Sequence, residues 1–245
     1  MKPIGIVSAL AAEARTLGPA ARQGAELRRL TDDALLAVSG IGEGAAAAAA
    51  RRLVLAGATA LASFGMAGGL DPTLVCGAVL LPEEIIAPNG AAVSATAAEW
   101  RQRLRAALPA SCIVCGGRLL TSERPVANRQ AKAAVWREAR AVAVDMESAA
   151  IAQVARQAGI PFICLRVVVD TAFDEIPAAV LAASGGGQLR LGRLLAALLR
   201  APGDVGGLIR LSARYRIAMR ALASVVAPGS AARGVLIGGP TPETA

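Results

Sequence analysis

The strongest constraint on the fold is a recurring unit: an apolar run that ends in Gly, Ser or an acid and then gives way to Ala-rich, helix-like sequence. "IGIVSAL" leads to "AAEARTL", "ALLAVSGIGEG" to "AAAAAARRLVLAGA", and "AVAVDMES" to "AAIAQVARQAG". "ALASFGMAGGLD" and "GAVLLPEEI" follow one another without a convincing helix between them, and "PFICLRVVVDTA" closes the series. Strands alternating with helices predict an α/β fold whose mostly parallel or mixed sheet is covered on both faces. A chain of 245 residues, 55% of them hydrophobic, suits one such domain with a sizeable core. Aromatics are only 2%, so that core must be built from Ala, Leu, Val and Ile. In sheets of this kind ligands sit at the carboxyl ends of strands. The polar residues at those ends are therefore the candidates for chemistry.

Composition narrows that chemistry. The chain has no histidine, which excludes a Ser-His-Asp triad and a His-based zinc site. Acid–base work falls mainly to carboxylates. "CIVC" at 112–115 has metal-like spacing, but no second pair and no His accompany it. Small buried apolar roles and a reducing, cytoplasmic setting are the expectation for the cysteines, with no metal. "IGIVSALAA" near the start mimics a signal peptide but reads better as a first strand, given Pro3 and a single Lys before it. No run of 18 uninterrupted apolar residues occurs, so no transmembrane helix is expected.

Candidate sites follow from the strand ends. "SGIGEGAAA" contains Gly40-x-Gly42-x-x-Ala45 between a strand and a helix, like a dinucleotide fingerprint. It is not on the first strand, and no acid ends the following strand to take a ribose hydroxyl, so a plain tight turn is the better reading. "GMAGGLD" places glycines after a strand end, where exposed N–H groups can receive an oxyanion or a base edge. Asp145 and Glu147 flank Met146 at a strand-to-helix turn. Asp145 is expected to cap the following helix. Glu147, expected inside the first turn, is better suited to accept both hydroxyls of a ribose diol. Asp170 closes the apolar strand "ICLRVVVD"; partial desolvation would raise its pKa and suit it to donate a proton. A cap on "TAFDEIPAAV" explains Asp170 equally well. Glu13 lies just beyond the first strand, on the same edge; the competing reading is a solvated helix residue paired with Arg15.

"IGIVSALAAEA", "SGIGEGAAAA", "GMAGGLDPTLVCGAVLLPEEI", "VAVDMESAAIAQVA" and "PFICLRVVVDTA" resemble, in order and spacing, the purine nucleoside phosphorylase and methylthioadenosine/S-adenosylhomocysteine nucleosidase superfamily. The resemblance covers roughly residues 1–200, as one catalytic domain. It implies a three-layer α/β/α sandwich around a mixed central sheet, a homo-oligomer, and no cofactor beyond inorganic phosphate as an optional co-substrate. It makes Glu147 the ribose-diol ligand, Met146 the apolar floor under the sugar, Asp170 the acid at N7 of the leaving purine and Glu13 the carboxylate that positions the attacking water. Cleaving the C1′–N9 bond builds an oxocarbenium-like sugar and negative charge on the base, which such a set of carboxylates can serve.

The sequence also departs from that pattern. Met66 stands where the family places a hydroxyl, and a thioether cannot bind phosphate, although Ala67 and Gly68 keep the expected backbone. The phosphate-binding arginines are not evident at their usual places, with Arg15 and Arg166 as candidate substitutes. Pro125 and Val126 stand where an aromatic usually stacks on the base, which leaves backbone contacts from Val126 to adenine.

Beyond the family core, residues 201–245 are expected to be a basic amphipathic extension and not an independent domain. Residues 189–221 carry seven Arg and one Asp, most of the chain's net charge of +8. "SGGGQ" at 184–188 reads as a flexible break, "LRLGRLLAALLR" and "LIRLSARYRIAMRALASVV" as helices, and "APGSAARGVLIGGPTPETA" as a frayed tail. The extension resembles the hopanoid-biosynthesis branch of phosphorylases, which act on adenosylhopane. Such a substrate would explain an apolar 5′ side near Leu10; the basic amphipathic face suits residues 189–226 to bind anionic membrane at the inner face, with an oligomer interface or a solvated helix as the competing readings. The expected activity is N-glycosidic cleavage of a 5′-modified adenine nucleoside, with hydrolysis slightly favoured over phosphorolysis. The competing readings are methylthioadenosine or S-adenosylhomocysteine cleavage, a general purine nucleoside phosphorylase, and a nucleoside sensor without chemistry. The localised charge and few aromatics argue against nucleic acid.

Overall fold

The computed structural model describes residues 3–19, 23, 26–177, 184–185, 188–189 and 204–240. Its central sheet takes in β1 (Ile4–Ser8), β2 (Leu27–Thr31), β3 (Ala34–Val38), β4 (Leu61–Gly69), β5 (Val79–Leu80), β6 (Glu84–Ile86), β7 (Ala92–Ala95), β8 (Val114–Cys115), β9 (Arg118–Thr121), β10 (Ala141–Asp145) and β11 (Phe162–Asp170). The order is β2-β3-β1-β4-β10-β9-β6-β7, and β4 also pairs with β11, which leads through β5 to β8. β1 runs parallel to β3 and β4, and β4 parallel to β11, while β10 meets the end of β4 antiparallel. The sheet is therefore mixed, as the sequence predicts. β4 follows directly into the loop before β5 with no helix between, as the two adjacent apolar runs indicated.

The strands alternate between two apolar layers because successive side chains leave a strand on opposite faces. On one face Val7, Ala37, Leu61 and Cys164 meet α2 (Glu43–Leu55) and α5 (Ser148–Gln157) through alanines such as Ala46, Ala50, Ala152 and Ala155. Alanine forms helix readily and lets helix and sheet approach closely, which offsets the shortage of large aromatics. On the other face Ile6, Phe64, Ile163 and Leu165 meet Leu17 of α1 (Ala11–Leu17) and Trp100 of α3 (Ala98–Ala107). Joining them are Ala218 and Leu222 of α6 (Asp204–Val225) and Leu236 of α7 (Ala231–Gly238). α4 (Arg129–Ala139) packs beside β10 with Val135 and Trp136. Helix, sheet and helix make three layers.

The C-terminal region differs from the expectation of a frayed tail. Residues 231–238 form α7, N-capped by Ser230, and the Trp100 indole donates to the Val235 carbonyl at 2.9 Å. Ala232 and Leu236 are fully buried, and burying them holds the segment down. Where a flexible break was expected, Ser184–Gly185 and Gln188–Leu189 pair as a short antiparallel ladder, β12 and β13. The helix expected over "LRLGRLLAALLR" lies outside the described residues. Among the described residues no helix is long and apolar enough to cross a membrane.

Candidate active site

The carboxyl ends of β1, β4, β9, β10 and β11 surround a cavity of about 240 Å³. Its lining brings together Leu10, Glu13, Met66, Ala67, Gly68, Val126, Met146, Glu147 and Asp170, all expected at the site from the sequence. The wall also contains Ile41, Val144, Val169, Ile176 and Tyr215, which sequence reasoning missed. Tyr215 comes from α6, so the C-terminal region supplies part of the cavity wall.

Glu13 is buried in the first turn of α1. Its Oε2 accepts from the Ser8 hydroxyl at 3.2 Å and the Leu10 amide at 3.3 Å, and its Oε1 accepts from the Met66 amide at 3.0 Å. This overturns the competing picture of a solvated residue paired with Arg15: the side chain turns back over the helix start, toward free N–H groups. Burial pushes its carboxyl above the ordinary range, partly offset by the nearby Arg166. Close approach at this point requires Gly65, since a Cβ there would lie 2.7 Å from both Glu13 Oε2 and Arg166 Nη1.

The two acids of the β10–α5 turn have separate surroundings. Asp145 accepts from Arg166 Nη2 at 2.6 Å and Nε at 3.0 Å, from Thr121 Oγ1 at 2.7 Å and from the Ser148 amide at 3.2 Å. It does bond the start of α5 as a cap would, but its charge partner is an arginine. Arg166 is itself fully buried and also donates to Ser63 Oγ and Ser148 Oγ. The proposed substitution of Arg166 for a phosphate-binding arginine is thus not supported by its placement: the guanidinium is committed inside the fold. Arg15 does not line the cavity.

Glu147 occupies the N-cap position of α5, one residue before the first turn where it was expected. Its Oε1 accepts from the Gly42 amide at 2.9 Å. Gly42 has φ 102°, a left-handed conformation that glycine adopts without strain. The "SGIGEG" turn therefore does more than reverse the chain, because it aims an N–H at Glu147. Burial, then the neighbouring Asp145 charge, push the Glu147 carboxyl up to about 7, with Arg166 opposing.

Asp170, at the end of β11, does not cap a helix. Asp174 instead receives the Thr171 amide and hydroxyl at 2.9 and 2.7 Å. The partner of Asp170 is Lys132, whose ammonium bonds Oδ2 and also donates to the Thr171 carbonyl at 2.7 Å. Burial raises the Asp170 carboxyl and the lysine opposes that rise. Lys132 was not foreseen. Its signal was present in composition: only two of the 26 basic residues are lysines.

Chemically, the cavity combines four buried acids, of which Asp145 is taken up by Arg166, with an apolar wall. Among the described residues lining it there is no Arg or Lys. The arrangement can hold a polyol through Glu147, deliver a proton from Asp170 and polarise a small nucleophile at Glu13.

Comparison with known proteins agrees with this architecture. No curated protein matches the chain. Among solved structures, the methylthioadenosine/S-adenosylhomocysteine nucleosidase of Colwellia psychrerythraea in complex with adenine aligns with a TM-score of 0.69 at 19% identity, over 98% of this chain and 97% of that one. The corresponding nucleosidase of Neisseria meningitidis, in complex with methylthio-immucillin-A, gives 0.67 at 20% identity, over 92% and 97%. Futalosine hydrolase of Helicobacter pylori gives 0.63 at 18% identity, over 92% and 97%. These likenesses show a shared fold. The sequence model of the phosphorylase superfamily matches residues 10–200, and with most of its length so matched the chain belongs to the phosphorylase superfamily.

Proposed function

We propose that the protein cleaves the N-glycosidic bond of a 5′-modified adenine nucleoside with water as the acceptor. The observation that carries this reading is the convergence of Glu13, Glu147 and Asp170 on one cavity whose described lining has no Arg or Lys. Phosphate carries about two charges and would need cationic partners there. Water needs only a carboxylate acceptor. In this reading the ionised Glu147 accepts the 2′- and 3′-hydroxyls, and Met146 supports the sugar face. Asp170 protonates N7 as the C1′–N9 electron pair passes into the purine. Water held by Glu13 attacks C1′. The transition state is oxocarbenium-like, and the buried acids oppose its positive charge at close range. The backbone around Val126 offers adenine its edge contacts. The neighbours' names, which include nucleosidases acting at methylthioadenosine, point the same way.

For the 5′ substituent we propose an apolar group, and adenosylhopane as the natural substrate, supported by Leu10, Ile41 and Tyr215 in the wall. A cavity of about 240 Å³ lies below the usual range for ligand pockets, so a polycyclic lipid would have to project through the mouth. That size equally favours a small methylthio group, which is the second reading. Release of adenine from purified protein is the test, measured in parallel with adenosylhopane, 5′-methylthioadenosine and S-adenosylhomocysteine. Preference for the lipid nucleoside supports the first reading and efficient turnover of the other two alone supports the second. No adenine from any of them counts against both.

We further propose contact with anionic membrane through the outer face of α6. Arg210, Arg216 and Arg220 are exposed there beside exposed Ile209 and Ile217. Removing α6 would strip Ala218, Leu222 and Val225 from the core, so the test uses charge reversal instead of truncation. Arg210→Glu/Arg216→Glu should lose sedimentation with anionic liposomes, and unchanged sedimentation would count against the contact. The homo-oligomer expected from the resemblance is checked by light scattering, where a monomer would contradict it.

A further inference from the structure

Lys132 is the one residue of α4 that is buried, while the apolar Val135 and Trp136 of the same helix stay partly exposed. A helix that buries an ammonium in place of an apolar side chain does so against the cost of desolvating the charge. The helix start is fixed around it: the Ala131 amide donates to Asn128 Oδ1 at 2.8 Å. Lys132 then reaches across to the end of β11, where its ammonium meets Asp170 Oδ2 and the Thr171 carbonyl. Asp170 itself stands close over Gly68, where a Cβ would lie 3.2 Å from Oδ1. Oδ2 is thus held by the lysine, while both oxygens lie close to Gly68 in the cavity lining, Oδ1 the nearer. The chain has 24 arginines and places one of its two lysines here. A compact ammonium can bond one oxygen and a carbonyl at once, whereas a planar guanidinium tends to occupy both oxygens of a carboxylate.

Resting on the nucleoside-cleaving reading, we propose that Lys132 is the positioning residue of the acid: it pins Asp170 Oδ2, leaves Oδ1 to serve the purine N7, and stabilises the carboxylate left when the proton has gone. The Asp170 O–H bond breaks as N7–H forms, and the C1′–N9 electron pair is taken up by the purine. Water adds to C1′ and gives a proton to Glu13. Glu13 returns that proton to solvent, and solvent reprotonates Asp170. The sum is nucleoside plus water giving free sugar plus neutral purine. The charge of Lys132 lowers the cost of the ion that Asp170 becomes, while burial raises the Asp170 carboxyl and so favours its protonated form beforehand.

The charge and the position of Lys132 can be separated. Activity needs Asp170 protonated, so it is lost as pH rises through the Asp170 pKa. Lys132→Met removes the opposing charge; the alkaline limb of kcat/KM should move up by about 1–3 pH units, and kcat should fall about tenfold or more with KM little changed. Lys132→Arg keeps the charge and misplaces it; the limb should stay while kcat still falls about tenfold. The assay is adenine release from whichever nucleoside the wild-type enzyme cleaves best. If Lys132→Met does not fold, Lys132→Arg decides the matter. Wild-type kcat together with the wild-type alkaline limb in either folded variant would overturn the role of Lys132 and leave the nucleoside reading intact. Absence of cleavage by the wild-type enzyme would take down both.

Discussion

A buried cation lies behind the wall at each of two ends of the cavity, and the two are used differently. At the sugar end Arg166 is spent on Asp145, an acid built into the β10–α5 turn. Glu147, two residues on, accepts from the Gly42 amide and has a carboxyl pushed up to about 7. At the base end Lys132 touches Asp170, the acid proposed to protonate the leaving base. The difference teaches that burial alone does not assign an acid its role. At one end the cation absorbs a structural charge so that a second acid remains available near neutrality. At the other it bonds the acid that, in the proposed reaction, becomes the conjugate base.

The largest expected effect breaks the base end. Asp170→Asn removes the proton donor and should lower kcat by about 10²–10⁴-fold, read as adenine release, with the fold retained. A nearly normal kcat would move the acid elsewhere. Next comes the structural cation of the sugar end. Arg166→Met leaves Asp145 buried without its partner, and urea unfolding should show a loss of about 3–5 kcal/mol. Adding Asp145→Asn should restore much of that stability, and no recovery would mean the two do not act as a pair.

Smaller effects sharpen the contrast. Glu147→Gln weakens a charge-assisted bond to the sugar diol and should cost about 1.5–3 kcal/mol in kcat/KM, with unfolding changed much less. A loss of stability as large as that for Arg166→Met would place Glu147 in the same structural class as Asp145. Gly65→Ala crowds Glu13 and Arg166 and should cost about 1–3 kcal/mol of stability, together with part of kcat. The smallest effect is in the pH profile. Glu147 must be ionised to accept the diol and its carboxyl lies at about 7, so kcat/KM should fall as pH drops below about 7. Glu147→Gln should abolish that acid limb, and persistence of the limb would assign it to Glu13.

Much of this arrangement is legible in the chain. The strand–turn–helix units define the α/β class, and the strand ends carry Glu13, Glu147 and Asp170, because each of these acids interrupts an apolar context. What stays hidden is partnership across the fold. Nothing near Arg166 in sequence marks it as the partner of Asp145, and a lone lysine on α4 has the appearance of a solvated charge. Gly42 reads as a tight turn, and only its meeting with Glu147 across 105 positions of sequence gives it a second role. The C-terminal region misleads for a related reason. The small residues of α7 look like a tail until Trp100 and the sheet bury them.

The most direct test of the central claim follows the acceptor. Purified enzyme is incubated with its best adenine nucleoside in phosphate-free buffer made with ¹⁸O-labelled water, and the sugar product is examined by mass spectrometry. Attack by water predicts release of adenine without added phosphate, with the label at C1′ of a free sugar. Turnover that begins only when phosphate is supplied, with a sugar 1-phosphate as product, would contradict it.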